Sequence, residues 1–247
     1  MRLFRRKKKD DELNAEDDLS LVVTNTEDTA VLNVPAVAVD NVRQMITRIM
    51  RGEQLPRRLA VVSALRGEGV TYLAQSVASV IANDLAANVC LVDLNWWAPS
   101  HWAEKLGVED EEEAIGLAGV LKNEIALDDA VLPTGWENLF ILPAGKLAGI
   151  ERPVMARSDE LKAAMDELYG RFDYLVLDIP AILSTSDAVP LASLADACCL
   201  VIHQGVTSID DVKNALDEID HLTVLGTVLN NEEISTPSFI VKLIPQK

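Results

Sequence analysis

The residues best suited to chemistry lie in one run, Ser63-Ala64-Leu65-Arg66-Gly67-Glu68-Gly69-Val70-Thr71-Tyr72. Two glycines followed by a hydroxyl residue suit a turn that wraps phosphate. Backbone N–H groups of such a turn, and of the helix it opens, point at the anion and need no side chain. Gly67, Glu68, Gly69 and Val70 would lend that main chain. The Thr71 hydroxyl is placed either to reach a magnesium ion or simply to occupy the helix N-terminus. Loops of this kind carry a lysine just before the hydroxyl residue, as a point charge for the terminal phosphates. Val70 occupies that position here and brings no charge.

Three further residues stand where apolar runs stop. Asp93 follows Val89-Cys90-Leu91-Val92, Asp178 follows Tyr174-Leu175-Val176-Leu177, and Asn230 follows Leu225 to Leu229. An acid at the end of a buried strand, near a phosphate loop, can organise a metal ion or merely cap the strand. Asn230 is either a turn residue or a base-reading amide. Trp96, Trp97 and Trp102 cluster after Asp93, as packing under a loop or as an interaction patch.

Elements that would position these residues can be read from periodicity. Strands are expected at Leu59–Ser63, Val89–Asp93, Leu139–Pro143, Tyr174–Asp178, Cys198–His203 and Leu225–Leu229. Helical patterns fall between them at Leu73–Ala86, Gly116–Lys122, Asp159–Gly170, Asp187–Leu194 and Ile209–Ile219, with an amphipathic helix before them over Val39–Met50. Near-continuous apolar strands alternating with helices predict an α/β fold, a mostly parallel sheet with helices on both faces. Ligands of such sheets bind at the carboxyl ends of the strands, where the phosphate loop, Asp93, Asp178 and Asn230 all lie. Residues 1–35 read as a flexible charged arm, 36–235 as the domain, and 236–247 as a C-terminal tail or an edge strand.

Composition narrows the function classes. The chain has 247 residues, 22 basic and 39 acidic, for a net charge of −17, which argues against nucleic acid as a partner. Its basic tip, Arg2 to Lys9, could touch anionic lipid, but the acids from Asp10 to Asp18 follow at once. The acidic run Glu109–Glu113 reads as a solvated loop or helix start. No apolar run reaches the roughly 18 residues of a membrane span, so a cytoplasmic protein is expected. Cys90, Cys198 and Cys199 sit in apolar runs and read as buried thiols, the adjacent pair pointing to opposite faces. His101, His203 and His221 have no metal-ligand spacing.

The ordered set of motifs resembles the bacterial tyrosine kinases (BY-kinases) of capsule and exopolysaccharide synthesis, over about residues 36–231. Ser-x-x-x-Gly-Glu-Gly-x-Thr resembles their P-loop. Cys90 to Asn95 is similar to their second phosphate-binding motif, Phe172 to Pro180 to their Walker B strand, and Val228-Leu229-Asn230 to the strand end that places an adenine-reading asparagine. The resemblance implies a P-loop NTPase-like fold, with ATP and Mg2+ as cofactors and with Asp93 and Asp178 as the acids, Thr71 and Asp178 holding the metal. Gly67 to Thr71 and Asn230 would hold the nucleotide. It also implies a membrane-embedded polysaccharide chain-length regulator or a kinase homologue as partner, peripheral association with the inner face of the membrane, and a homo-oligomer.

Departures from the family pattern are concentrated on charge. Besides Val70, the second motif has Asn95 where an acid is usual and Trp97 where an arginine is usual. The only tyrosines are Tyr72, Tyr169 and Tyr174, so the family's C-terminal tyrosine cluster is missing. The oligomerisation helix reads Asp40-x-x-Arg43-x-x-Ile46. The expectation is a degenerate member, non-catalytic or weakly nucleotide-binding, that acts as a regulator or scaffold. Two alternatives stand beside it. One is an active tyrosine kinase, with Arg66 the nearest candidate cation. The other is a partitioning-type spatial-regulator ATPase, whose second loop lysine has no counterpart in Ala64-Leu65-Arg66.

Overall fold

A computed structural model describes residues 19–52, 54–108 and 115–230. Seven strands form its main sheet: β3 (Arg58–Ser63), β4 (Val89–Asp93), β5 (Leu132–Pro133), β6 (Leu139–Leu142), β7 (Tyr174–Asp178), β8 (Ala197–His203) and β9 (Thr223–Asn230). Their order is β5-β6-β4-β7-β3-β8-β9. Every neighbouring pair is parallel except β5 and β6.

Alternation along the central strands explains why both faces must be covered. Ala60 and Val62 of β3, Cys90 and Val92 of β4, and Leu175 and Leu177 of β7 join one core cluster. Their neighbours Leu59, Val61, Val89, Leu91 and Val176 join the other. A strand with apolar residues on both faces is stable only between two helical layers. Helix α7 (Asp159–Arg171), capped by the Ser158 hydroxyl, sends Leu161, Met165 and Leu168 into the first cluster. Helices α1 (Ala36–Gly52) and α2 (Val70–Leu85) cover the second. Five shorter helices lie among the described residues at Trp102–Lys105 (α3), Leu117–Leu121 (α4), Leu127–Ala130 (α5), Arg152–Met155 (α6) and Ala188–Ala192 (α8). Helix α9 (Ile209–Glu218) precedes β9.

The expected flexible arm extends too far along the chain. Residues 21–34 form an antiparallel hairpin, β1 (Leu21–Thr24) and β2 (Ala30–Val34), with Leu21 opposite Val34. The Asn25 side chain accepts the N–H groups of Glu27 and Thr29, both at 2.9 Å, and so closes the turn. Val23 and Val34 are buried in the α1/α2 core, and Thr24 O accepts the Gly135 N–H at 2.7 Å. Leu21, Val31 and Leu32 pack against the same core, so the ribbon is docked along its apolar positions. Residues 1–18, the acidic run at 109–113 and the segment 236–247 lie outside the described residues.

Cys198 and Cys199 enter opposite core clusters, as strand alternation requires. Burial pushes the Cys90 and Cys199 thiols up to about 12 and Cys198 to about 11, so all three stay protonated at neutral pH. Among the described residues no helix is long and apolar enough to cross a membrane.

Candidate nucleotide site

The loop between β3 and α2 is a left-handed turn at both glycines, Gly67 at φ 80° and Gly69 at φ 103°. Gly69 caps α2 without a side-chain hydrogen bond, so the helix N-terminus keeps its donors for another acceptor. Ser63 Oγ donates to Leu65 O at 2.8 Å and tightens the entry.

Glu68 is not a solvated loop residue. It is 1% exposed, and its Oε2 accepts the Leu65 N–H at 3.0 Å. Its Oε1 accepts the Thr207 hydroxyl, which itself accepts the His203 N–H at 3.0 Å. Asn230 completes the knot by donating from Nδ2 to Glu68 O at 2.8 Å. A Cβ placed on Gly69 would lie 2.1 Å from that Nδ2. Glu68 therefore ties the loop to the β8–α9 turn and to the end of β9. Asn230 spends its amide N–H on the loop main chain. Thr207 is the member of this knot that sequence reasoning missed; a lone threonine in a turn carries no signal by itself.

Val70 is 8% exposed and belongs to the same core cluster as Leu73 and Val77. The position that would present a cation to phosphate is thus apolar and largely packed. Arg66, exposed in the loop, is the cation nearest in sequence.

Asp93 and Asp178 are register partners on adjacent strands. Asp93 accepts the Asn95 N–H at 2.9 Å and the Ser100 N–H at 3.0 Å. Burial nevertheless raises its carboxyl to about 6, against the opposing pull of those N–H groups and of the Lys105 charge. Asp178 is 2% exposed. Burial first and the neighbouring Asp93 second push its carboxyl well above the ordinary range, and the Thr71 hydroxyl is the hydrogen bond opposing them. Asp178 Oδ1 has no hydrogen-bond partner. An orphaned buried carboxylate oxygen, a second carboxylate and a hydroxyl make a hard-oxygen donor set that fits magnesium. Among the described residues no group of three or more His, Cys, Asp or Glu could hold a metal.

The stretch after β4 departs from the expected motif in a connected way. Asn95 shapes a turn, its Oδ1 accepting the Ala98 N–H at 3.2 Å. Trp96 is buried and donates from Nε1 to Ala144 O at 2.8 Å. Trp102 is buried in the opposite cluster, under the Lys105 ammonium at 4.7 Å. Both are packing residues. Only Trp97 is half-exposed, and the Arg152 guanidinium lies 5.3 Å from its ring centroid. Where the motif would carry an arginine, a tryptophan instead receives one from α6.

A glycine-rich turn from a central strand into a helix, beside two strand-end acids of a parallel sheet, defines a P-loop NTPase fold. The septum site-determining protein MinD of Pyrococcus horikoshii, solved with Mg-ADP, shares this fold at 25% identity and a TM-score of 0.58, over 77% of this chain and 78% of that one. The kinase domain of the Escherichia coli tyrosine kinase ETK aligns with a TM-score of 0.71 at 19% identity, over 83% of each chain. In sequence, the chain is 27% identical to the tyrosine-protein kinase YwqD of Bacillus subtilis over 185 residues, 74% of this chain and 75% of that protein. It is 23% identical to the tyrosine-protein kinase wzc of Salmonella typhimurium over 208 residues, 82% of this chain but 28% of that protein. No protein-family model matches. In sequence the chain is similar to bacterial tyrosine kinases (BY-kinases), and its fold is the one that their kinase domains share with MinD.

Proposed function

We propose that this chain keeps the family's nucleotide site in a weakened form and works as a non-catalytic regulator or scaffold of polysaccharide synthesis and export. The observation that carries this reading is Val70, packed into the core where the phosphate-binding lysine belongs. Losing one charged hydrogen bond to phosphate costs roughly 1.5–3 kcal/mol, one to two decades in affinity. Backbone donors, Thr71 and the Asp93–Asp178 pair would support binding through that loss. Phosphoryl transfer suffers more, because it rests on positioning and charge neutralisation at the transition state. Bound ATP and magnesium would supply the transferable phosphoryl group and its countercharge. Gly67 to Thr71 would hold the phosphates, and Thr71 and Asp178 the metal.

By family resemblance the partner is a membrane-embedded chain-length regulator or an active kinase homologue, which would place the chain at the inner face of the membrane. Incubation of the chain with ATP, magnesium and a tyrosine-bearing partner tests the reading: no phosphotyrosine is expected. The retained, metal-fitting carboxylate pair favours the active kinase as second reading. Phosphotransfer lost on Asp178→Ala would establish it.

A further inference from the structure

Strand β9 ends the sheet, and among the described residues nothing pairs with its outer edge. Beyond that edge, β9, α1 and α2 enclose a groove of about 610 Å³. Met45, Ile49, Tyr72, Leu225 and Leu229 give it apolar walls, with Tyr72 41% and Leu229 54% exposed. Helix α1 turns a second seam toward it. Val39, Val42 and Ile46 are buried in the core, and Ala38, Met45 and Ile49 line the groove together with the groove-facing edge of Val42, spaced four, three and four apart. An unpaired strand beside a half-covered apolar groove is a template for one more strand.

We propose that residues 238–245 of this same chain (Ser-Phe-Ile-Val-Lys-Leu-Ile-Pro) add to β9 as an antiparallel strand and fill the groove. Length fits: β9 has eight residues, the segment has eight, and 231–237 supply the return loop. At roughly 3.3 Å per residue the segment spans all of β9. Chemistry fits as well. Phe239, Val241 and Leu243 alternate onto one face, which suits the groove, and Ile240, Lys242 and Ile244 onto the other. Pro237 precedes the segment and Pro245 closes it, where the missing N–H ends a ladder cleanly. The strand would supply main-chain partners along the β9 edge and cover Tyr72 and Leu229. Because the return loop begins immediately after Asn230, a seated strand also holds the Asn230 amide against Glu68 O, and so braces the phosphate loop. The proposal does not depend on the kinase-like reading.

Amide hydrogen exchange of the full chain tests it, with Val241→Asp/Leu243→Asp as the comparison and the β3 and β4 amides as controls for folding. Protection of the β9 amides that is independent of protein concentration, with exchange at least about tenfold faster in the double variant, is expected. Equal β9 exchange in both proteins, with β3 and β4 still protected, would overturn the proposal. Protection that disappears on dilution would overturn it too, by showing that a second copy fills the groove.

Discussion

Asp93 and Asp178 face each other in register across β4 and β7, both buried, and one oxygen of Asp178 has no partner. Two neighbouring buried carboxyl groups resist ionising together. Asp93 is raised to about 6 and Asp178 well above its ordinary range, so the folded chain holds protons that an unfolded chain releases near pH 4. The stability linked to this pair is therefore full below about pH 4. It declines as pH rises through about 6 and beyond, and the cost remains at neutral pH. Asp178→Asn removes one charge of the pair. It should raise the melting temperature at pH 8 by a few degrees, about 1 kcal/mol or more, and by less at pH 5. Thermal unfolding at the two pH values checks this.

Magnesium should act on the same pair. A divalent cation between Thr71 and Asp178 would offset the carboxylate repulsion and stabilise the native protein by mass action. Millimolar magnesium is expected to raise the melting temperature of the wild-type chain at pH 8, with little effect on Asp178→Asn. An equal shift in both would place the ion elsewhere.

Restoring the missing charge should strengthen nucleotide binding. Val70→Lys puts an ammonium at the first turn of α2. The affinity for Mg-ATP should rise by roughly one to two decades, the worth of one charged hydrogen bond. Calorimetric titration of both proteins measures it. Some stability would be lost, because Val70 leaves the core cluster of Leu73 and Val77.

Gly69 leaves no room for a side chain beside Asn230. Gly69→Ala would strain a φ of 103° and drive a Cβ into Asn230 Nδ2. A loss of about 1–3 kcal/mol is expected. Adding Asn230→Ala should recover only part of it, since the steric contact is relieved and the backbone strain is not. Urea unfolding of the two single variants and the double variant separates the terms.

The fold was legible because both periodicities are strong in this chain. β4 and β7 fall where their apolar runs predict, and the rule that ligands bind at strand carboxyl ends brings Asp93, Asp178 and the loop together. What escaped the sequence was held by few residues. The β1–β2 hairpin docks through Val23 and Val34, with Leu21, Val31 and Leu32 packed beside them, in strands of four and five residues too short to register as a pattern. Glu68 reads in sequence only as a lender of main chain to the phosphate turn, whereas its side chain is buried and held by Leu65 and Thr207. Trp97 looked like a bare loss of charge, whereas Arg152, 55 positions away in the sequence, stacks on it. Contacts between residues so distant leave no local signature.

The most direct measurement of the central claim is equilibrium binding of Mg-ATP to the full chain, read from intrinsic tryptophan fluorescence and confirmed by calorimetry, with phosphotyrosine assayed in the same samples. Weak, magnesium-dependent binding without phosphotyrosine is the predicted result. Tight binding accompanied by phosphotransfer that Asp178→Ala abolishes would contradict it, and would make this chain a working kinase despite Val70.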